Sequence, residues 1–153
     1  MEIQRFAQKG IVVNNKNEIL LIRYANSKFL SEKLNGKYAL PGGKIEFGET
    51  PDESIVNEIR QETGVTCKPG MPIHIWNWEY KKENDSIQIN AITRICKYES
   101  GEPNSKPSEE KELTIDGTYW IPLEKLLEID IVVDEKPSID LLLLNFSLYK
   151  KLL

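Results

Sequence analysis

Residues 43–65 read GKIEFGETPDESIVNEIRQETGV, and this stretch decides the fold. Its middle predicts a helix with well-marked ends. Thr50 suits the N-cap, Pro51 suits the first helical position, and Glu53 stands where a capping box needs it. Ile55, Val56 and Ile59 form an apolar stripe, and Gly64 is placed for a left-handed C-terminal stop. Glu58 and Glu62 are four positions apart, about 40° in projection, so they form one carboxylate pair on the flank beside that stripe. In an isolated helix two like charges at this spacing cost about 0.2–0.5 kcal/mol. A hard divalent cation reverses the sign, because carboxylate and carbonyl oxygens are the ligands Mg²⁺ prefers. Gly42 and Gly43 carry no side chains, which lets a backbone carbonyl approach the same ion. Two glutamates taken alone would more ordinarily be a solvated helix face. The pattern around them decides.

Upstream, residues 10–13 and 19–22 are apolar runs joined by the polar segment 14–17, which predicts a β-hairpin. Residues 25–37 read as a loop, and 38–40 as a short strand stopped by a turn at Pro41-Gly42-Gly43. Downstream, residues 73–80 alternate so that Trp76, Trp78 and Tyr80 share one face of a strand. A polar turn over 81–85 leads to a second alternating run over 87–95, and the two should pair antiparallel. Residues 101–111 read as a polar, proline-containing loop, 118–121 as a last strand, 123–127 as a short helix and 138–149 as a terminal helix. The expected architecture is α/β: one domain over 1–153, with helices packed on a mixed sheet.

Composition narrows the class. The 153 residues are 40% hydrophobic and 29% charged, which suits a soluble globular chain rather than a disordered one. A net charge of −4 argues against a nucleic-acid polymer as partner, since neutralising phosphates takes a Lys/Arg excess on one face. Residues 43–65 hold six acids and two bases, so the whole imbalance sits in the quoted stretch. Cys67 and Cys96 lack metal-like spacing, and the single His74 cannot complete a zinc site with them. Buried free thiols in a reducing compartment are expected. The longest apolar stretch, 141–144, is far short of the ~20 residues of a spanning helix, and no signal peptide is read at the N-terminus. The expected setting is cytoplasmic, with no membrane.

The quoted stretch resembles the Nudix box, whose pattern is G-x5-E-x7-R-E-U-x-E-E-x-G-U with U a bulky apolar residue. Gly43, Glu49, Glu58, Ile59, Glu62, Gly64 and Val65 match it; Asn57 stands at the Arg position and Gln61 at the first Glu of the E-E pair. Pro41-Gly42 and the loop over 44–48 look like the MutT-type version of the family. The resemblance implies a Nudix-type α/β/α sandwich. It also implies Mg²⁺- or Mn²⁺-dependent hydrolysis of a pyrophosphate bond in a nucleoside diphosphate-linked small molecule. Carried over by position, Glu58 and Glu62 are the catalytic pair and the metal ligands, with the Gly42 carbonyl a further ligand. Glu58 is also the position most often assigned as the base that activates water. Homodimerisation is a family expectation.

The departures carry a consequence. The family's Arg orients neighbouring glutamates, whereas Asn57 is shorter and neutral; Gln61 offers a carbonyl oxygen but no negative charge. The alternative reading is therefore a Nudix-fold nucleotide-binding module with little turnover. Beyond the box, Arg23 ends an apolar strand where similar proteins often carry a phosphate-contacting Arg, and Lys44 beside the glycine turn is a second substrate-binding candidate. The Trp76, Trp78 and Tyr80 stripe admits three readings: nucleobase stacking, a dimer face, or core. His74 shares its parity and is read as structural or surface. Glu109, Glu110 and Glu112 are candidates for an extra catalytic carboxylate.

Overall fold

The computed structural model describes residues 1–28, 30–103 and 114–153. Among the described residues seven strands form one mixed sheet: β1 (Glu2–Val13), β2 (Glu18–Tyr24), β3 (Tyr38–Ala39), β4 (Gly42–Lys44), β5 (Thr66–Lys82), β6 (Asp85–Ser100) and β7 (Ile115–Pro122). The main order is β3-β2-β1-β6-β5, with β4 paired to β1 and β7 paired to β2. β1 and β6 run parallel; the other ladders are antiparallel.

Strand alternation assigns the two faces. On β1, β2 and β6 the residues Ile11, Val13, Ile19, Leu21 and Ile95 pack with Ile139 and Leu142 of helix α2 (Lys136–Lys151). Their neighbours of opposite parity, Val12, Leu20 and Cys96, pack with Ile55 and Ile59 of helix α1 (Pro51–Thr63). Each face of the sheet thus buries one helix, which is the α/β/α sandwich expected. α1 has the expected ends: both halves of the Thr50–Glu53 capping box are present, and Gly64 closes it in the left-handed conformation at φ 77°. Among the described residues no helix is long and apolar enough to cross a membrane. Cys67 and Cys96 are buried free thiols.

Four elements differ from expectation. β1 begins at Glu2 rather than near residue 10, because its polar N-terminal half is held by a continuous parallel ladder, Glu2↔Ser86 through Val13↔Lys97. Gln4 adds a side-chain bond to Gln88 at 2.8 Å. β5 starts at Thr66 although Pro69, Gly70 and Pro72 punctuate it. Among the described residues it pairs only with β6, and register shifts around the prolines let this edge strand absorb them. The turn expected at Pro41-Gly42-Gly43 is instead the short extended β4, with Lys9 opposite Gly42 and Gln8 opposite Gly43. The short helix expected after residue 122 is a single 3₁₀ turn, Leu123–Lys125.

One polar cluster fastens α1 to the sheet. Arg94 of β6 donates to the Gly70 carbonyl at 2.9 Å and to Gln8 Oε1 at 3.1 Å, and pairs with Asp52 at 2.7 Å. Gln8 in turn donates to the Pro51 carbonyl at 2.7 Å. Arg94→Ala strands the amide oxygen of buried Gln8 and the Gly70 carbonyl, which should cost about 2–3 kcal/mol. That corresponds to a melting temperature lower by roughly 4–12 °C for a domain of this size. A thermal melt within 1 °C of wild type would show the cluster to be incidental.

Candidate active site

The helix register and the glycine strand meet at one wall. β4 pairs with β1 and packs against the later turns of α1, so its backbone meets the carboxylate flank of the helix. Glu62 is buried, and its Oε1 accepts the Gly42 N–H at 2.8 Å. Glu58, one turn earlier and half-buried, lies against Gly43. A Cβ on Gly43 would collide with the Glu58 carboxylate, and one on Gly42 would collide with the Gln8 carbonyl oxygen. The two glycines therefore admit the close packing of helix, strand and carboxylates.

This wall opens on a cavity of about 350 Å³ lined by Glu58, Glu62, Gly42, Gly43, Lys44 and Glu46, and also by Lys9, Tyr24 and Trp78. Lys44 donates to the Tyr80 hydroxyl at 3.3 Å, with its ammonium 5.9 Å from the ring centroid. A second cavity of about 450 Å³ is lined by Trp76, Trp78, Tyr80, Leu34, Val132 and Glu135, and by the same Lys9 and Tyr24. Trp76 and Trp78 stand 5.1 Å apart at 33°. The stripe thus walls a cavity, and of its residues Trp76 is fixed by donating to Thr93 at 2.9 Å. His74, of the same parity, bonds Ser138 at 2.8 Å and serves the contact with α2.

Gly42, Lys44, Glu58 and Glu62 come together as the sequence suggests; Arg23 is not among the residues lining either cavity. Arg23 pairs with Asp116 at 3.6 Å and donates to the Gly36 carbonyl at 3.4 Å. Its neighbour Tyr24 lines both cavities, next to a register shift between Arg23 and Tyr24 in the β2–β7 ladder. Gln61 is exposed, Asn57 accepts from Arg60 at 2.8 Å, and Glu49 accepts the Glu46 N–H at 2.9 Å. Glu109, Glu110 and Glu112, with most of the loop expected over 101–111, lie outside the described residues.

Sequence reading missed Lys9, Tyr24 and Glu135. A signal for Lys9 existed. It stands two positions before Ile11 and four before Val13, so continuing the alternation backwards puts a charge on an inward-facing site. Burial alone would lower the Lys9 pKa, but Tyr24, Glu135, Glu62 and Glu58 outweigh it and hold the ammonium above its ordinary 10.5. Burial also raises the Tyr24 phenol, opposed by Lys9, so it stays protonated. Burial raises Glu135 above 4.5, against the pull of Lys9 and of the Leu40 N–H that its Oε1 accepts at 3.0 Å.

A raised acid pKa has a definite sign. Below pH 4.5 Glu135 is neutral folded and unfolded; above it the unfolded chain ionises first, and stability falls until the folded group ionises too. Glu135→Gln keeps the acceptor for Leu40 and removes this loss. Urea midpoints at pH 4 and pH 8 should show the variant gaining on wild type as pH rises. A difference that is flat or opposite in sign would refute it.

The donor set is all oxygen: two carboxylates and adjacent backbone carbonyls. Among the described residues no group of three or more His, Cys, Asp or Glu gathers to hold a metal. This set fits a hard divalent cation that completes its shell with water and phosphate oxygens, as Mg²⁺ usually does, and does not fit a soft or closed structural site.

Comparisons with known proteins identify the family. Residues 5–142 match the model of the NUDIX domain. The chain is 36% identical over 81 residues to an 8-oxo-dGTP diphosphatase of Escherichia coli, covering 45% of this chain and 60% of that protein. It is 44% identical over 57 residues to an ADP-ribose pyrophosphatase of Methanocaldococcus jannaschii, covering 37% and 31% respectively. It therefore spans less than two thirds of the length of these relatives. A crystal structure of a MutT protein from Methanosarcina mazei superposes with TM-score 0.64 at 24% identity, covering 98% of this chain and 97% of that one. One from Burkholderia pseudomallei, a MutT NUDIX hydrolase, gives 0.67 at 19%, covering 90% and 96%. With the family model matching from β1 into α2 and Gly43, Glu58 and Glu62 of the box on one cavity wall, this chain belongs to the NUDIX family.

Proposed function

We propose that the chain is a nucleotide pyrophosphohydrolase, using Mg²⁺ or Mn²⁺ to cleave the pyrophosphate of a nucleoside diphosphate-linked small molecule. The observation that carries this reading is the convergence of Glu58, Glu62 and the Gly42–Gly43 backbone on one cavity wall. The names of two relatives, a diphosphatase and a pyrophosphatase, support the reaction class. Glu58, Glu62 and the Gly42 carbonyl would hold the ion. When bound, such an ion polarises a bridging phosphate and lowers the pKa of water. Glu58 takes the proton from the attacking water, and Glu62 keeps the glycine strand in place through the Gly42 N–H. Water adds to one phosphorus, the bridging P–O bond breaks, and two phosphate-bearing fragments leave. Lys44, on the cavity rim, contacts phosphate oxygens. Arg23, paired with Asp116, has a structural part at the β2–β7 edge instead. The partner is a small nucleotide, not a polymer; the two buried thiols suit a cytoplasmic setting, and dimerisation rests on the family resemblance alone.

A second reading, a nucleotide-binding module with little turnover, is favoured by the exposed Gln61 and by the engagement of Asn57 with Arg60 rather than with a glutamate. A panel of nucleoside triphosphates, dinucleotides and nucleotide sugars assayed with Mg²⁺ and with Mn²⁺ separates them. Metal-dependent release of a nucleoside monophosphate supports the hydrolase. Binding without turnover on every substrate overturns it.

A further inference from the structure

The two cavities are halves of one cleft, because Lys9, Tyr24 and Trp78 line both. One half carries the carboxylates and the glycine strand; the other carries the Trp76–Trp78 pair. At the waist stands an ammonium with three N–H donors. The one hydrogen bond it makes within the described chain is a long one, to the Leu40 carbonyl at 3.4 Å. Lys9 thus retains donor capacity at the wall of the cleft. The Leu40 peptide that it bonds also donates its N–H to Glu135, which lines the aromatic half and not the carboxylate half, so the ammonium stands toward the aromatic half. With buried Glu135 balancing that charge, Lys9 serves as a hydrogen-bond donor more than as a counter-ion for phosphate. The Tyr24 hydroxyl lines the same two halves and is a second donor there.

Resting on the hydrolase reading, in which the pyrophosphate occupies the carboxylate half, we infer that Lys9 is a specificity residue. It donates to a keto oxygen on the edge of a base stacked in the aromatic half, so that the cleft favours 6-keto over 6-amino purines. An amino group at that edge would face an ammonium that can only donate, and leave both unpaired. Such a mismatch in a desolvated site is worth about ten-fold or more in affinity. The Trp pair by itself accepts either ring face, since stacking is tolerant of base identity.

The test is calorimetric titration with inosine and adenosine monophosphates, which differ at the purine 6 position, in buffer without added metal. Wild type should bind inosine monophosphate about ten-fold tighter. Lys9→Met should bring the ratio near one, chiefly by weakening the keto ligand, and Lys9→Arg should retain a preference. Because Lys9→Met leaves Glu135 buried without its cation, the double variant Lys9→Met/Glu135→Gln is measured beside it, and a ratio near one is expected there as well. A wild-type ratio near one, no inosine monophosphate binding, or equal weakening of both ligands by Lys9→Met overturns the inference; the last outcome would assign Lys9 to phosphate. The two readings fail separately. Lys9-dependent keto preference without hydrolysis of any panel substrate removes only the hydrolase, while hydrolysis with an unchanged base ratio in Lys9→Met removes only the role of Lys9.

Discussion

Glu58→Gln should lower metal-dependent turnover by about 10³-fold or more, with the fold intact. The variant keeps the size of the side chain and its packing against Gly43, but it loses both the negative charge and the basic oxygen. Loss of a positioned general base typically costs about 10²–10⁴ in rate. A lost carboxylate ligand adds to this through weaker metal binding. Glu58 is half-buried rather than in the core, and Lys9 keeps Glu135 and Glu62 near it in the variant, so the melting temperature should stay within a few degrees. Initial rates at saturating Mg²⁺ and again at saturating Mn²⁺ decide between the two losses. Partial recovery at high metal would show weakened binding, whereas a flat deficit would show the missing base. A rate within ten-fold of wild type under both conditions would refute the assignment of Glu58.

The helix was legible because its signals are local. Thr50, Pro51, Glu53 and Gly64 act on their own turns, and the resulting helix runs Pro51–Thr63 with both caps in place. Strand extents were less legible, because pairing is not local. Residues 2–9 of β1 carry no strong apolar alternation and are extended because β6 offers a matching ladder. Pro69 and Pro72 signal a break, yet an edge strand tolerates them through register shifts. The site divides along the same line. Gly42, Glu58 and Glu62 belong to one contiguous motif and were found together. Lys9, Tyr24 and Glu135 come from β1, the end of β2 and the turn before α2, and only the folded sheet brings them to one cleft. At the end of β2, Arg23 pairs with Asp116 while its neighbour Tyr24 lines both cavities, a division set by the register shift with β7 that no local signal announces.

Gly42→Ala and Gly43→Ala should fail in different ways, although they alter adjacent residues of the same strand. At Gly42 the added methyl meets backbone, namely the Gln8 carbonyl and the Lys9 Cα at 2.9 Å, at a φ of +151° that side chains rarely adopt. Neither neighbour can move without disturbing the β1–β4 ladder, so the cost falls on stability: about 2–4 kcal/mol, or roughly 5–15 °C in melting temperature. The Gly42 N–H to Glu62 bond should weaken with it, and activity should fall as well. At Gly43 the methyl meets instead the end of a flexible side chain, with Glu58 Cδ at 2.6 Å and Cγ at 3.1 Å. Glu58 can swing away, so the melting temperature should change little, but the carboxylate is then displaced from the wall it shares with Glu62. A displacement of about an ångström in a catalytic group costs on the order of 10²-fold in rate. Paired melts and initial rates read both effects at once: Gly42→Ala unstable and weak, Gly43→Ala stable and weak. A Gly43→Ala protein with wild-type turnover would mean that the position of Glu58 against the glycine strand does not matter to the chemistry, and the convergence on which the hydrolase reading rests would lose its catalytic meaning.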